Sequence, residues 1–244
     1  MMLSLKEENF MYFLDNASTT RCLEESARIV YEASIKDFYN PSAKYKLALD
    51  MQNKLNECRE VVKSTLGAIN YNVVFTASAT ESNNMVLKTM ISKNYTSLIS
   101  IGEHSSIFET AKSLSLAGCK INHLNLQADG TIDFEDLKSK MTKDVGFISL
   151  ILVSNETGAI NNVKKIISFA KSINPKVVFH LDAVQAYLKI QIDLEDLGVD
   201  YLTISSHKIC GPKGVGALVY KKNAKLNKHR NNYTTPSNNS NTSK

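Results

Sequence analysis

An α/β domain is the architecture this 244-residue sequence predicts: a mostly parallel central sheet with helices on both faces, in three layers. Three observations point there. Short apolar runs alternate with longer amphipathic ones, the strand–helix rhythm of a layered fold. Several short runs are rich in Val and Ile on both faces, as strands covered by helices must be. The polar residues able to do chemistry follow those runs directly, where open α/β sheets place their ligands.

Taken in order, strands are expected at 73–76, 97–101, 120–124, 147–153, 177–181, 201–204 and 215–220. Each is a short apolar run set between longer amphipathic stretches. Helical spacing of apolar residues marks 23–35, 43–66, 79–91, 107–117, 134–141 and 163–173. No internal repeat is present. The reading gives an N-terminal segment at 1–11, one large domain at 12–220 and a low-complexity tail at 221–244. Asn, Ser, Thr and Lys dominate that tail, which lacks the apolar residues to offset its ordering entropy, so disorder is expected there.

The formal charge of +5 invites a nucleic-acid reading, but six Lys/Arg and no acid lie in 221–244, leaving the body at −1. No electrostatic footprint for nucleic acid remains in that body. Cys22, Cys58, Cys119 and Cys210 are widely separated and form no C-x-x-C pair, which fits free thiols rather than zinc or a disulfide framework. All four are expected to be packing residues. No apolar run approaches membrane-spanning length and no signal-peptide layout opens the chain, so a cytoplasmic protein is expected.

The most chemically loaded stretch is Ser205-Ser206-His207-Lys208-Ile209-Cys210-Gly211-Pro212-Lys213-Gly214. A lysine at the end of a buried strand loses part of its proton affinity by desolvation and can capture a carbonyl. The hydroxyls, imidazole and glycine-rich turn around Lys208 suit a phosphate. An aldehyde and a phosphate together suggest pyridoxal phosphate.

Other residues fit that idea, each beside a plainer reading. Thr76-Ala77-Ser78-Ala79-Thr80-Glu81-Ser82 follows a strand and opens a helix, offering free amides to an anion. Ser78-x-x-Glu81 is equally an ordinary capping box. His104 could stack on a planar ring, or be a loop residue. Asn155 lies in a polar turn after the strongest strand. Asp182 ends an apolar run, where a carboxylate needs a positive partner; a pyridinium nitrogen would supply one. Gln185, three residues on, could reach the ring hydroxyl.

In their order along the chain these motifs resemble the cysteine desulfurase branch of the class V aminotransferases, pyridoxal-phosphate enzymes of fold type I. The resemblance runs from Tyr12-Phe13-Leu14-Asp15-Asn16-Ala17-Ser18-Thr19-Thr20 and Asn40-Pro41-Ser42 through 75–84, Glu103-His104-Ser105, 154–158 and 180–186 to the lysine motif and on to 218. It implies that Lys208 carries the cofactor, that Asp182 pairs with the pyridine nitrogen and that His104 stacks on the ring. Asn155 and Gln185 would hold the ring oxygen, while Ala79, Thr80, Ser205 and His207 would bind the phosphate. It implies no metal. It further implies L-cysteine as substrate, a sulfur-acceptor protein such as an iron–sulfur scaffold, and a homodimer in the complete enzyme. A different class V activity (selenocysteine lyase or aminotransferase) and a non-catalytic remnant of the fold are the alternatives.

Two departures accompany the resemblance. Ser78 stands where the family usually has glycine, so weaker phosphate binding is expected unless the helix cap accommodates it. After residue 220 no small domain, substrate-binding arginine or mobile-loop cysteine is recognisable. The expectation is a truncated, frameshifted or split form lacking the sulfur-accepting nucleophile.

Overall fold

The computed structural model describes residues 12–226. The expected N-terminal segment at 1–11 and the tail from 227 lie outside the described residues. Helices α1 (Glu24–Lys36) and α2 (Lys46–Ser64) precede strand β1 (Tyr71–Thr76). Then come α3 (Ala79–Met90), β2 (Thr96–Ser100), α4 (Ser105–Leu116), β3 (Lys120–Leu124), α5 (Phe134–Lys140) and β4 (Val145–Ile151). The chain continues through α6 (Val163–Ile173), β5 (Val178–Asp182), the single-turn α7 (Leu194–Leu197), β6 (Tyr201–Ser205) and β7 (Gly216–Lys221).

The seven strands among the described residues form one sheet in the order β1-β7-β6-β5-β4-β2-β3. Strands β2 to β6 pair in parallel, while β7 runs antiparallel to both β1 and β6. Alternate side chains feed two cores. Leu98, Ile148, Leu202 and Val219 face α5, α6 and α7; Ile99, Phe147, Tyr201 and Leu218 face α3 and α4. That alternation is the period of two of a pleated strand covered on both sides.

Helix α6 illustrates why these segments are helical. Val163, Ile166, Ile167 and Ala170 recur on one face and are buried, and Asn162 caps the start by accepting from the Lys165 amide at 3.1 Å. Helix α1 differs, because none of its residues is buried. Ile29, Val30, Tyr31 and Ile35 are left on the surface there.

β4 begins two residues before the expected 147, and α2 begins three residues after 43 because Ala43 closes a turn on the Asn40 carbonyl. β7 extends through Lys221, one residue into the stretch read as tail. Beyond it the Lys222 amide donates to Asn70, and Ala224 and Leu226 pack on the α3–α4 core.

The connections reverse direction at one place. From β2 the chain passes to the edge strand β3, then returns to β4 on the other side of β2 and steps away through β5 and β6. This switch point opens a crevice above the carboxyl ends of β2 and β4.

Candidate active site

A cavity of about 780 Å³ occupies that crevice, a size typical of small-molecule sites. All nine residues singled out from the sequence line it: Ala79, Thr80, His104, Asn155, Asp182, Gln185, Ser205, His207 and Lys208. They come from the ends of β1, β2, β4, β5 and β6.

Asp182 is the last residue of β5 and is 2% exposed, which matters because a bare carboxylate that deep is costly. Its Oδ1 accepts from the Val184 amide at 3.0 Å and its Oδ2 from Asn83 Nδ2 at 2.9 Å. Burial pushes its carboxyl above the usual carboxylate range; these bonds and the nearby Lys208 charge pull the other way.

His104 caps α4. Its Nδ1 accepts from the Ser106 amide at 3.2 Å and lies 2.8 Å from the Ser106 hydroxyl, which places the ring proton on Nε2. Ser106 in turn accepts from Asn83 Nδ2 at 2.9 Å, so one buried asparagine ties His104 to Asp182.

The turn from β1 into α3 forms the opposite wall. Ser78 Oγ accepts from the Glu81 amide at 3.2 Å, and Glu81 Oε2 accepts from Ala77 at 2.8 Å. The capping box is therefore formed; Ala79 and Thr80 line the cavity, and their amides have no acceptor among the described residues. Ser78 has φ −169°, extended backbone open to any residue, so the absence of glycine there brings no backbone strain. Glycine is needed instead at 216, where a Cβ would lie 2.7 Å from the Ser78 carbonyl carbon.

Lys208 ends a short 3₁₀ turn after β6. Its Nζ donates to the Ala17 and Ser18 carbonyls, both at 2.6 Å. Desolvation, then the nearby charge of Lys189, lowers its proton affinity, opposed by Asp15 and Asp182. His207, also shifted down by desolvation and by Lys208, places Nδ1 3.1 Å from Thr19 Oγ1. Gln185 donates from Nε2 to Ala17 at 2.7 Å and accepts at Oε1 from Lys189 at 2.7 Å. Asn155 lines the cavity with its amide unbonded among the described residues.

The residues fit pyridoxal phosphate: an amine, a buried carboxylate for a cationic ring nitrogen, and acceptor-free amides beside Ser205 and His207 for a phosphate. Sequence reasoning assigned no role to Glu103, Asn83, Ser106 or residues 15–20. Glu103 is buried, accepts from the Ile151 amide at 2.6 Å, and leaves Oε2 without a partner. Burial and Asp182 hold its carboxyl well above the usual range. The Thr20 amide donates to the His207 carbonyl and the Cys210 amide to Thr20 Oγ1, docking the 15–20 segment on the lysine turn. An unusually buried acid after a strand was the available signal for Glu103.

No cysteine lines the cavity among the described residues. Cys58 is exposed on α2 rather than buried as expected, because it falls on the helix face turned from the sheet. Cys119 packs on the α3–α4 core, and Cys22 and Cys210 are half-buried. No group of residues among those described could hold a metal ion.

The fold and this residue set define a pyridoxal-phosphate protein of fold type I. The class-V aminotransferase family matches residues 12–236, and the chain belongs to it. It is 36% identical over 222 residues to the cysteine desulfurase IscS of Dictyoglomus turgidum, covering 88% of this chain and 55% of that protein. Identity to the IscS of Rickettsia prowazekii is 32% over 232 residues, covering 93% and 56%. A solved NifS-like protein superposes with TM-score 0.82 at 30% identity over 87% of this chain and 59% of its own. SspA in complex with cysteine gives 0.81 at 29% identity, covering 88% and 62%. The chain thus spans a little over half the length of the curated relatives it matches.

Proposed function

We propose that this chain is the cofactor-binding portion of a pyridoxal-phosphate-dependent cysteine desulfurase, acting in the cytoplasm on L-cysteine and passing sulfur to an acceptor protein. The observation carrying this reading is the convergence of Lys208, buried Asp182 and the free Ala79 and Thr80 amides on one cavity. The kinship with cysteine desulfurases supports the substrate class. The homodimer of the complete enzyme is part of the same reading.

When bound, pyridoxal phosphate would supply an electrophilic carbonyl and an electron-withdrawing ring. Lys208 would offer its Nζ to the carbonyl, helped by the desolvation that favours its neutral form. Asp182 would hold a negative charge against the ring nitrogen, fixed in direction by Asn83 and Val184. Ala79, Thr80, Ser205 and His207 would hold the phosphate at the α3 N-terminus. His104 would close one face of the ring and hold or release a proton at Nε2, Ser106 fixing its orientation. Asn155 and Gln185 would orient the ring oxygen. No cysteine among the described residues lines the cavity, so this reading assigns no residue to the sulfur-accepting thiol.

Incubation with pyridoxal phosphate, borohydride reduction and peptide mapping test this reading. The pyridoxyl group is expected on Lys208 and lost in Lys208→Ala. A label on another lysine, or none, overturns the assignment.

A further inference from the structure

Lys189 belongs to none of the motifs above, yet it touches the site. It follows Leu188, which holds φ +57°, a left-handed conformation costly for a residue with a branched side chain. That turn, closed by the Lys189 and Ile190 amides on the Ala186 carbonyl, brings the Lys189 side chain back over Gln185. Lysine carries only donors, so its 2.7 Å contact requires the oxygen of the Gln185 amide to face it. The amide nitrogen then faces away, toward the Ala17 carbonyl at 2.7 Å. The same carbonyl receives Lys208 Nζ at 2.6 Å.

We propose that Lys189 is a positioning residue for Lys208: it locks the Gln185 amide so that Nε2 pins the Ala17 carbonyl on which the Lys208 amine rests. The inference rests on the reading of Lys208 as the cofactor-bearing amine, and concerns how that amine is held ready. Without Lys189, the Gln185 amide is free to turn over, and Ala17 loses the donor that holds it beside Lys208. The charges facing Lys208 are Lys189, Asp15 and Asp182, with His207 adjacent. Removing the Lys189 ammonium therefore also favours the protonated, unreactive form of Lys208.

The test uses cofactor-free full-length protein and trinitrobenzenesulfonate, with Lys208 modification followed by peptide mass spectrometry across about pH 7 to 10. Lys189→Met, with circular dichroism unchanged, is expected to slow Lys208 labelling about two- to threefold near pH 8 and displace its pH profile upward. Lys189→Arg, which keeps the charge and the donor, is expected to restore it. In a Gln185→Ala background the Lys189→Met effect is expected to shrink. Unchanged labelling in Lys189→Met, no rescue by arginine, or an undiminished effect without Gln185 would each overturn the proposal. Failure of the unmodified protein to acquire a pyridoxyl group refutes the cofactor reading instead, and leaves the labelling result interpretable.

Discussion

Burial leaves Glu103 and Asp182 competing for one negative charge. Asp182 has two N–H donors and the nearby Lys208 amine in its favour, whereas Glu103 has a single amide from Ile151. Glu103 is therefore the member pressed harder toward its protonated form. Glu103→Gln keeps an acceptor for Ile151 and removes the titration, so urea unfolding near pH 8 should find it as stable as the unmodified chain or more so. A loss above about 1 kcal/mol would mean that the carboxylate is ionised there. The sign follows from linkage: an acid raised in the folded state contributes stability at low pH, lost as pH rises past its ordinary 4.5. His180 acts in the other direction. Buried between Ser149 at 2.9 Å and Thr203 at 3.0 Å, it is pushed down to about 3 from 6.5. Its contribution is complete above pH 6.5 and is lost as pH falls toward 3, with a slope approaching about 1.4 kcal/mol per pH unit. His180→Gln should flatten the fall in stability between neutral and mildly acidic pH; an unaltered slope would contradict the buried neutral ring. Lys208 and Asp182 were legible in the sequence because their oddity is local, a charge at the end of an apolar run. Asn83 was not: it meets Asp182 across 99 residues, and nothing around it marks that contact.

Among the elements, the turn from β1 into α3 does two jobs, capping the helix and presenting its amides. Ser78→Ala removes the acceptor for Glu81 and should cost about 1 kcal/mol, while Ser78→Gly should cost only a few tenths, as measured by thermal unfolding. Gly216→Ala should be worse than either alanine or glycine at 78, since its Cβ meets backbone atoms that cannot swing aside. If Gly216→Ala retains full stability and cofactor binding, the close approach of β7 to this turn has been misjudged. The strands were readable from their β-branched apolar runs, and most helices from a spacing of three and four. Single-turn α7 has only four residues, too few for a period to register, and is held by Asp193 and by Gly198 at φ +67°. The antiparallel direction of β7 was equally silent, because a buried strand is apolar on both faces whichever way it runs.

For the whole molecule, the two cores account for the sheet and its covering helices but leave the α1 region outside them. Leu23, Ile29, Tyr31, Ile35 and Phe38 are each more than half exposed in and beside a helix that buries no residue. Replacing Ile29 and Tyr31 with glutamine should leave the melting temperature nearly unchanged, with a free-energy effect within about 0.5 kcal/mol, while lowering light scattering of concentrated solutions. A large drop in melting temperature would show that these residues support the fold itself. The sequence could not announce this surface, because an amphipathic helix reads the same whether its apolar stripe meets a core or nothing.

β7 occupies the second place in the sheet although it is the last strand among the described residues, and β1 has no other neighbour among them. During synthesis Tyr71–Thr76 leaves the ribosome early and must wait for Gly216–Lys221 before its amides find acceptors. The turn from β1 into α3 is thus completed only after β7 has been made. Until then an unpaired edge stays open to chaperones, proteases and neighbouring nascent chains.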